Sequence, residues 1–195
     1  MTITALHLRH CIDNAKDITD QYRRYVLEGD RARKSIDKLL EVCSTYLETR
    51  IDVYEVDMPQ DGPTKAVYVA YEDHCDIFIR SGLTPEWVRF VLCKELFHIV
   101  IDKDDCRSLE LFDDVLALQL PVIASARSNG SAWETLAEVS AMEFLFPFSD
   151  RQKIIANGGE INYTALATQY GLPLVYMESY LSREGMEAFE AFRID

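Results

Sequence analysis

The sequence has no apolar run long enough to cross a membrane. A helix that spans a bilayer needs about 20 consecutive apolar residues, and polar or charged residues interrupt every stretch of that length. Near the N-terminus, His7, Arg9, His10 and Asp13 break up the apolar residues, so we expect no signal peptide. Internal repeats and low-complexity tracts are also missing. These absences favour a globular chain with no membrane partner.

Positive charge is scarce. The chain has 33 acidic and 20 basic residues, which gives a formal net charge of −13. A surface of that sign repels phosphate backbones, so nucleic acid is not expected as a direct ligand.

Cysteines are few, and their spacing fits no familiar framework. There are five, an odd number, with no C-x-x-C pair: Cys11, Cys43, Cys75, Cys93 and Cys106. This excludes a disulfide scaffold or a zinc ribbon and predicts free thiols in a reducing, cytoplasmic compartment.

Length and patterning predict a single α+β domain. A chain of 195 residues with 48% hydrophobic and 27% charged residues can bury one proper core. The first predicted helix lies within 1–30 and has one apolar face: Ile12, Ala15, Ile18, Tyr22, Tyr25 and Val26. Further helices are predicted over 31–49, from 84, over 107–126, from Ser131 to 146, and over 149–156 with Ser149 as its cap. The predicted strands are a half-buried strand over 51–56 and a hairpin of 67–71 and 76–80 with its turn at 72–75, and the helical tail is broken at 171–173.

The helix that begins at Thr84 carries the most informative motif. Pro85 suits the first helical position, and within this helix Lys94-Glu95-Leu96-Phe97-His98 differs from H-E-x-x-H only at its first residue. In H-E-x-x-H, two histidines one turn apart bind zinc and the glutamate acts as general base. Positions 94 and 98 share a helix face, but a protonated lysine has no lone pair for a metal.

A second motif follows at residues 134–147, which read E-x-x-A-x-x-x-A-x-x-x-L-x-P. Together with Arg89-Phe90, the hairpin segment 77–79 and the tail segment 166–173, it resembles the ImmA/IrrE family of zinc metallopeptidases over roughly residues 35–182. The resemblance implies a zincin-like α+β domain in which an active-site helix crosses a small sheet and other helices surround it. Residues 1–30 would be an N-terminal helical extension and 160–195 a C-terminal helical tail.

The resemblance also implies roles for individual residues. His98 stands at the second zinc-ligand position, Glu134 at the third, and Glu95 at the position of the base that activates water. Lys94 stands at the first ligand position and departs from the family pattern. Two protein ligands fall short of the three that a catalytic zinc site normally keeps. We therefore expect no cofactor, or zinc if the protein is active, and we predict that the Lys94 ammonium pairs with Glu134 or Glu95.

Each of these residues also has a purely structural interpretation. Ser131 and Glu134 have the spacing of a capping box, which needs no metal. His98 could be a hydrogen-bonded core histidine, Glu95 could only pair with a base, and Lys94 could be a surface lysine. If position 94 is deep, however, its charge requires a partner.

Three functions follow, in order of preference. The first is a degenerate metallopeptidase homologue that regulates or binds a protein, by resemblance a transcription regulator in a phage or stress response. The alternative is an active zinc-dependent endopeptidase that cleaves a repressor. The third is a DNA-binding regulator that uses the helix-turn-helix-like tail at 165–181, although Pro173–Leu181 contains no lysine or arginine.

Overall fold

The computed structural model describes residues 3–26, 33–59, 65–101 and 132–189. Within these ranges the chain forms a three-stranded sheet and eight helices, which confirms the predicted mixed α+β class. Among the helices of these ranges, none is both long and apolar enough to cross a bilayer. The helix predicted over 107–126 and the predicted cap Ser131 lie outside the described residues.

Two helices open the described chain, α1 (Ile3–Tyr25) and α2 (Ile36–Leu47). The predicted apolar face of α1 is buried at Ala15, Ile18 and Tyr22. Tyr25, which was predicted to share that face, is 60% exposed, because it ends the helix and instead lies under the Lys38 ammonium at 5.5 Å.

The helix α2 begins later than the predicted residue 31. Ser35 caps it, and the Ser35 hydroxyl accepts a hydrogen bond from the backbone N–H of Lys38 at 3.3 Å. At its other end the helix stops at Glu48, whose φ of 52° is left-handed. The cap, and not the apolar spacing, therefore sets where this helix starts.

The three strands form one sheet with β3 in the middle. They are β1 (Arg50–Val56), β2 (Ala66–Ala70) and β3 (His74–Arg80). β1 is parallel to β3, and β2 is antiparallel to β3, which confirms the predicted hairpin. The predicted turn at 72–75 is too long, because His74 and Cys75 already belong to β3 and the His74 carbonyl accepts a 2.8 Å hydrogen bond from Tyr71.

Most of the buried side chains of the described sheet lie on one face. Cys75, Ile77 and Ile79 of β3 point into the core. On β1 the predicted alternation of buried and exposed residues holds at Ile51 but fails at Val53, which is 39% exposed. The reason is topological: α3 packs on β2 and β3, whereas β1 lies at the edge of the sheet and meets α2.

The helix α3 (Pro85–Ile101) runs through the centre of the molecule. It packs against the sheet, against α1 and α2, and against a later helix, α4 (Ala132–Leu145). From Phe90 onward most of its residues are buried, which confirms the prediction of a helix enclosed on most sides. Because so few of its positions face solvent, α3 carries Glu95 and His98 into the interior.

Four further helices complete the described fold: α5 (Phe148–Ala156), α6 (Tyr163–Tyr170), α7 (Leu174–Leu181) and α8 (Arg183–Phe189). The predicted break at 171–173 is present, and Gly171, with φ of 62°, closes α6 in the left-handed conformation that glycine tolerates. Ser149 does not cap α5, contrary to the prediction. The helix starts at Phe148, and its first N–H donates to the Glu143 carboxylate at 3.1 Å.

Candidate functional site

The central helix α3 places three polar side chains at one point of its surface. Lys94 and His98 are four residues apart and so lie on the same face, with Glu95 beside them. All three side chains are largely inside the protein, with 16% of Lys94, 4% of Glu95 and 8% of His98 exposed. Ionisable groups in such a position need partners, because desolvation without pairing is costly.

The partner comes from the first turn of α4, which packs along α3. Glu134 Oε2 accepts a hydrogen bond from Lys94 Nζ at 2.6 Å, and its other oxygen, Oε1, lies 3.1 Å from His98 Nε2. Lys94 Nζ is also 3.2 Å from Glu95 Oε1. We call Lys94, Glu95, His98 and Glu134 the Lys94 cluster.

The Lys94 ammonium lies at the centre of the Lys94 cluster. It lies within ion-pair distance of both carboxylates. Its contact with Glu134 is a hydrogen bond, and its contact with Glu95 and the contact of His98 with Glu134 are 3.2 Å and 3.1 Å long. The lysine thus joins α3 to α4 through charge.

The electrostatics of the Lys94 cluster are visible at Glu134. Its contact with His98 lowers the pKa most, its contact with Lys94 lowers the pKa further, and partial burial opposes both. The result is a pKa of about 2, against an ordinary value of 4.5. Glu134 is therefore ionised over the whole physiological range.

Acidification is expected to weaken the fold through Glu134. Because its folded-state pKa lies below its ordinary value, its contribution is complete above about pH 5 and is lost as the pH falls towards 2. The side chain is 45% exposed, so solvent screening limits this contribution to about 1 kcal/mol. Urea unfolding of the wild type and of Glu134→Gln between pH 6 and pH 3 measures it.

Subtracting the stability profile of Glu134→Gln from that of the wild type isolates the effect of Glu134 from the other carboxylates that titrate between pH 6 and pH 3. The wild type should lose about 1 kcal/mol more than Glu134→Gln on acidification. Parallel pH profiles would show that Glu134 is not held by His98 and Lys94 in solution.

The residues present do not fit a catalytic zinc ion. Such a site keeps three protein ligands with free lone pairs, and the family positions here supply only His98 and Glu134. The first ligand position carries the Lys94 ammonium, which donates to Glu134, lies 3.2 Å from Glu95 Oε1 and has no lone pair for a metal. In the described ranges, no group of three or more histidine, cysteine, aspartate or glutamate side chains is arranged to hold a metal.

No family model matches this chain, and no curated protein matches it. The likeness to the ImmA/IrrE peptidases therefore rests on the two motifs, Arg89-Phe90, the hairpin segment 77–79 and the tail segment 166–173.

Two other side chains that could ligate a metal are engaged elsewhere. Cys93, one residue before Lys94, is fully buried, and its sulfur lies 4.0 Å from the Ala141 carbonyl of α4. His74 begins β3, where its Nδ1 is 2.7 Å from Asp73 Oδ1 and its ring stacks on Tyr71 at 4.4 Å. Neither side chain joins the Lys94 cluster.

Tyr68 is a neighbour of the Lys94 cluster that sequence reasoning missed. Its ring lies 6.0 Å from the His98 ring, so the middle of β2 borders the cluster. The alternation of β2 contained the signal, because Tyr68 pairs with buried Ile77 and must share its inward face. Its closeness to His98 depends on how α3 crosses the sheet, which the sequence does not express.

A buried ion pair between α4 and α5 is a second feature that sequence reasoning missed. Arg151 of α5 is fully buried, and its guanidinium pairs with the buried Glu143 carboxylate of α4. The guanidinium also lies over the rings of Phe148 at 5.3 Å and Tyr180 at 5.5 Å. This ion pair ties α4, and with it Glu134, to α5 and α7.

Neither α6 nor α7 is a basic recognition helix. Tyr170, Leu172, Met177, Tyr180 and Leu181 are buried, so α6 and α7 pack into the core through one face of each. The exposed residues of α7 include Leu174 and Val175, and this helix contains no lysine or arginine. DNA recognition through α7 therefore lacks the cations it requires.

Proposed function

We propose that this protein is a degenerate homologue of the ImmA/IrrE metallopeptidases, with a zincin-like fold, that acts by binding a protein partner. The observation that carries the proposal is the position of the Lys94 ammonium, 2.6 Å from Glu134 and 3.2 Å from Glu95. A cation carried by the chain itself takes the place that the motif gives to a zinc ligand. On this proposal, the protein keeps the helices and the sheet that surround a zincin site but lacks zinc-dependent peptide hydrolysis.

Two parts of the peptidase mechanism are affected: the metal that polarises the substrate carbonyl, and the glutamate that acts as the base. A peptidase of this class needs a metal to polarise the carbonyl and to acidify water. An ammonium does neither with comparable strength, because it carries one charge and has no open coordination position. Glu95, which would act as the base, is held by that ammonium.

A surface for the protein partner borders the Lys94 cluster. β2 is an edge strand of the described sheet, with Val67 43% and Val69 37% exposed on its outer face. An extended peptide can add to such an edge through backbone hydrogen bonds, with side-chain pockets giving specificity. Tyr68 would place that peptide next to His98. By resemblance, the partner is a transcription regulator of a phage or stress response in the cytoplasm.

The proposal is tested with Glu95→Gln, which keeps the size of the side chain and removes its basicity. If the protein acts by binding, this variant should restore the transcript profile of a deletion strain as well as the wild type does. If the protein is a peptidase, the variant should fail, because the base that activates water is gone.

Two controls keep this experiment decisive. Circular dichroism must show that Glu95→Gln is folded at the growth temperature, since Glu95 is buried. A variant of the proposed docking edge, Val67→Lys, should lose the transcript effect while it remains folded. Failure of folded Glu95→Gln together with full activity of Val67→Lys would contradict the proposal and favour the active endopeptidase.

A further inference from the structure

Arg89 of α3 holds a guanidinium that is incompletely paired within the described residues. Its Nε and Nη2 atoms are buried and have no hydrogen-bond partner among the described residues. It lies five residues before Lys94, about 140° round the helix, and so belongs to a different surface of α3. Burying guanidinium nitrogens without acceptors is costly, so such an arrangement calls for an anion.

In the described ranges, the charged side chain beside Arg89 is another arginine, Arg33. Arg33 Nε and Arg89 Nε both lie within 3.4 Å of one point, the position that a β-carbon on Gly171 would occupy. Lys34 follows Arg33, and its ammonium lies 4.9 Å from the centre of the Phe144 ring and donates to the Phe144 carbonyl. We call Arg33, Lys34 and Arg89 the basic cluster.

The pKa shifts of Arg89 and Lys34 agree with a cluster of neighbouring cations. Burial is the main cause that lowers the pKa of Arg89, and the neighbouring Arg33 lowers it further. Burial lowers the pKa of Lys34 to about 8, with Arg23 and Arg89 acting in the same direction and Asp150 against them. Asp150 is itself paired with Lys153 at 3.2 Å. In a chain of net charge −13, three cations this close together form a local positive patch.

One further hydrogen-bond donor, the Tyr22 hydroxyl, lies near the basic cluster. The Tyr22 hydroxyl accepts a 2.7 Å hydrogen bond from the Ser35 backbone, which leaves its own proton to donate. Arg33 is exposed and Arg89 is partly exposed, so an anion can reach the basic cluster from solvent. Gly171 keeps the space open, since a side chain there would meet Arg89 Cδ at 3.1 Å.

We propose that the basic cluster binds a phosphoryl group, either as free phosphate or as part of a small phosphorylated molecule. A phosphoryl dianion offers several acceptor oxygens and two negative charges, whereas a carboxylate offers one charge against three cations. Guanidinium groups match phosphate oxygens through paired N–H donors. This site is separate from the Lys94 cluster and does not depend on the function proposed for that cluster.

The test uses the full chain and three probes: sodium phosphate, a nucleoside 5′-monophosphate and sodium acetate, all at the same ionic strength. Isothermal titration and thermal melting should show saturable binding of phosphate and the nucleotide but not of acetate. Tighter binding of the nucleotide than of phosphate would identify the ligand as a larger phosphorylated molecule, and equal binding would identify free phosphate. An equal response to phosphate and acetate would overturn the proposal, because it would show screening alone.

Variants locate the binding. Arg33→Gln alters an exposed side chain and should keep the fold while weakening phosphate binding about ten-fold. Arg89→Gln should weaken it at least as much, and Arg33→Gln decides the matter if Arg89→Gln is unfolded. Arg50→Gln is the matched control, because Arg50 is an exposed arginine of β1 that pairs with Asp52 at 2.7 Å. Unchanged affinity in folded Arg33→Gln would overturn the proposal.

Discussion

Replacing Lys94 by histidine is expected to make the fold respond to zinc. The new imidazole would stand one turn from His98 and beside Glu134, which completes the three protein ligands of a zincin site. A ligand that binds only the folded state stabilises it by about 2.7 kcal/mol when its concentration is one hundred times Kd. For a chain of this size that corresponds to a melting temperature about 5–10 °C higher with zinc than with a chelator.

Lys94→Gln is the matched control for this experiment. It removes the charge, as histidine does in its neutral form, but adds no metal ligand of comparable strength. It should be less stable than the wild type by about 2–4 kcal/mol, because Glu95 is left buried near Glu134 without the ammonium, and zinc should not restore it. If Lys94→His shows no zinc-dependent shift, His98 and Glu134 do not converge in solution, and the roles transferred from the family fail at those two residues.

Truncating Arg151 to alanine is expected to cost about 3–5 kcal/mol of the free energy of unfolding. The variant would leave the Glu143 carboxylate buried without its cation, and it would also create a cavity between Phe148 and Tyr180. A loss of this size is a large part of the stability of an ordinary domain. Urea denaturation at pH 7 measures the effect, and the melting temperature should fall by roughly 10 °C.

A neighbouring lysine supplies the comparison. Lys153 is on the same helix and pairs with Asp150 at 3.2 Å, but its side chain is 73% exposed. Lys153→Ala should therefore change stability by less than about 1 kcal/mol. The double variant Glu143→Leu/Arg151→Met should recover most of the stability lost in Arg151→Ala, since an apolar pair removes the stranded charge. Equal effects of Arg151→Ala and Lys153→Ala would mean that the buried pair does not form.

The geometry around position 94 could be predicted from the sequence because a helix converts spacing into direction. Residues 94 and 98 share a face in any regular helix, and the apolar residues around them indicate a buried position. Glu134 was different, because only the family resemblance connected it to α3, across 40 residues of sequence. Local periodicity contains no information about such a contact.

The features that escaped prediction depend on packing between distant elements. Arg151 reads as an ordinary charged residue of a short amphipathic helix, and its burial follows from the way α4, α5 and α7 meet. Val53 fits the alternation of a half-buried strand, but β1 lies at an edge that α3 does not cover. Ser149 looked like a cap, yet the Glu143 carboxylate already serves the start of that helix.

The ammonium of Lys94 is covalently part of the chain, and this has a consequence for how the protein matures. In metal-dependent domains the charge that neutralises the buried carboxylates must be acquired from the cell, and folding waits for it. Here that charge is synthesised with the polypeptide, one per molecule, at a position fixed by α3. Under the function proposed above, we expect the assembly of α3 against α4 to need no metal delivery and to be unaffected by zinc starvation.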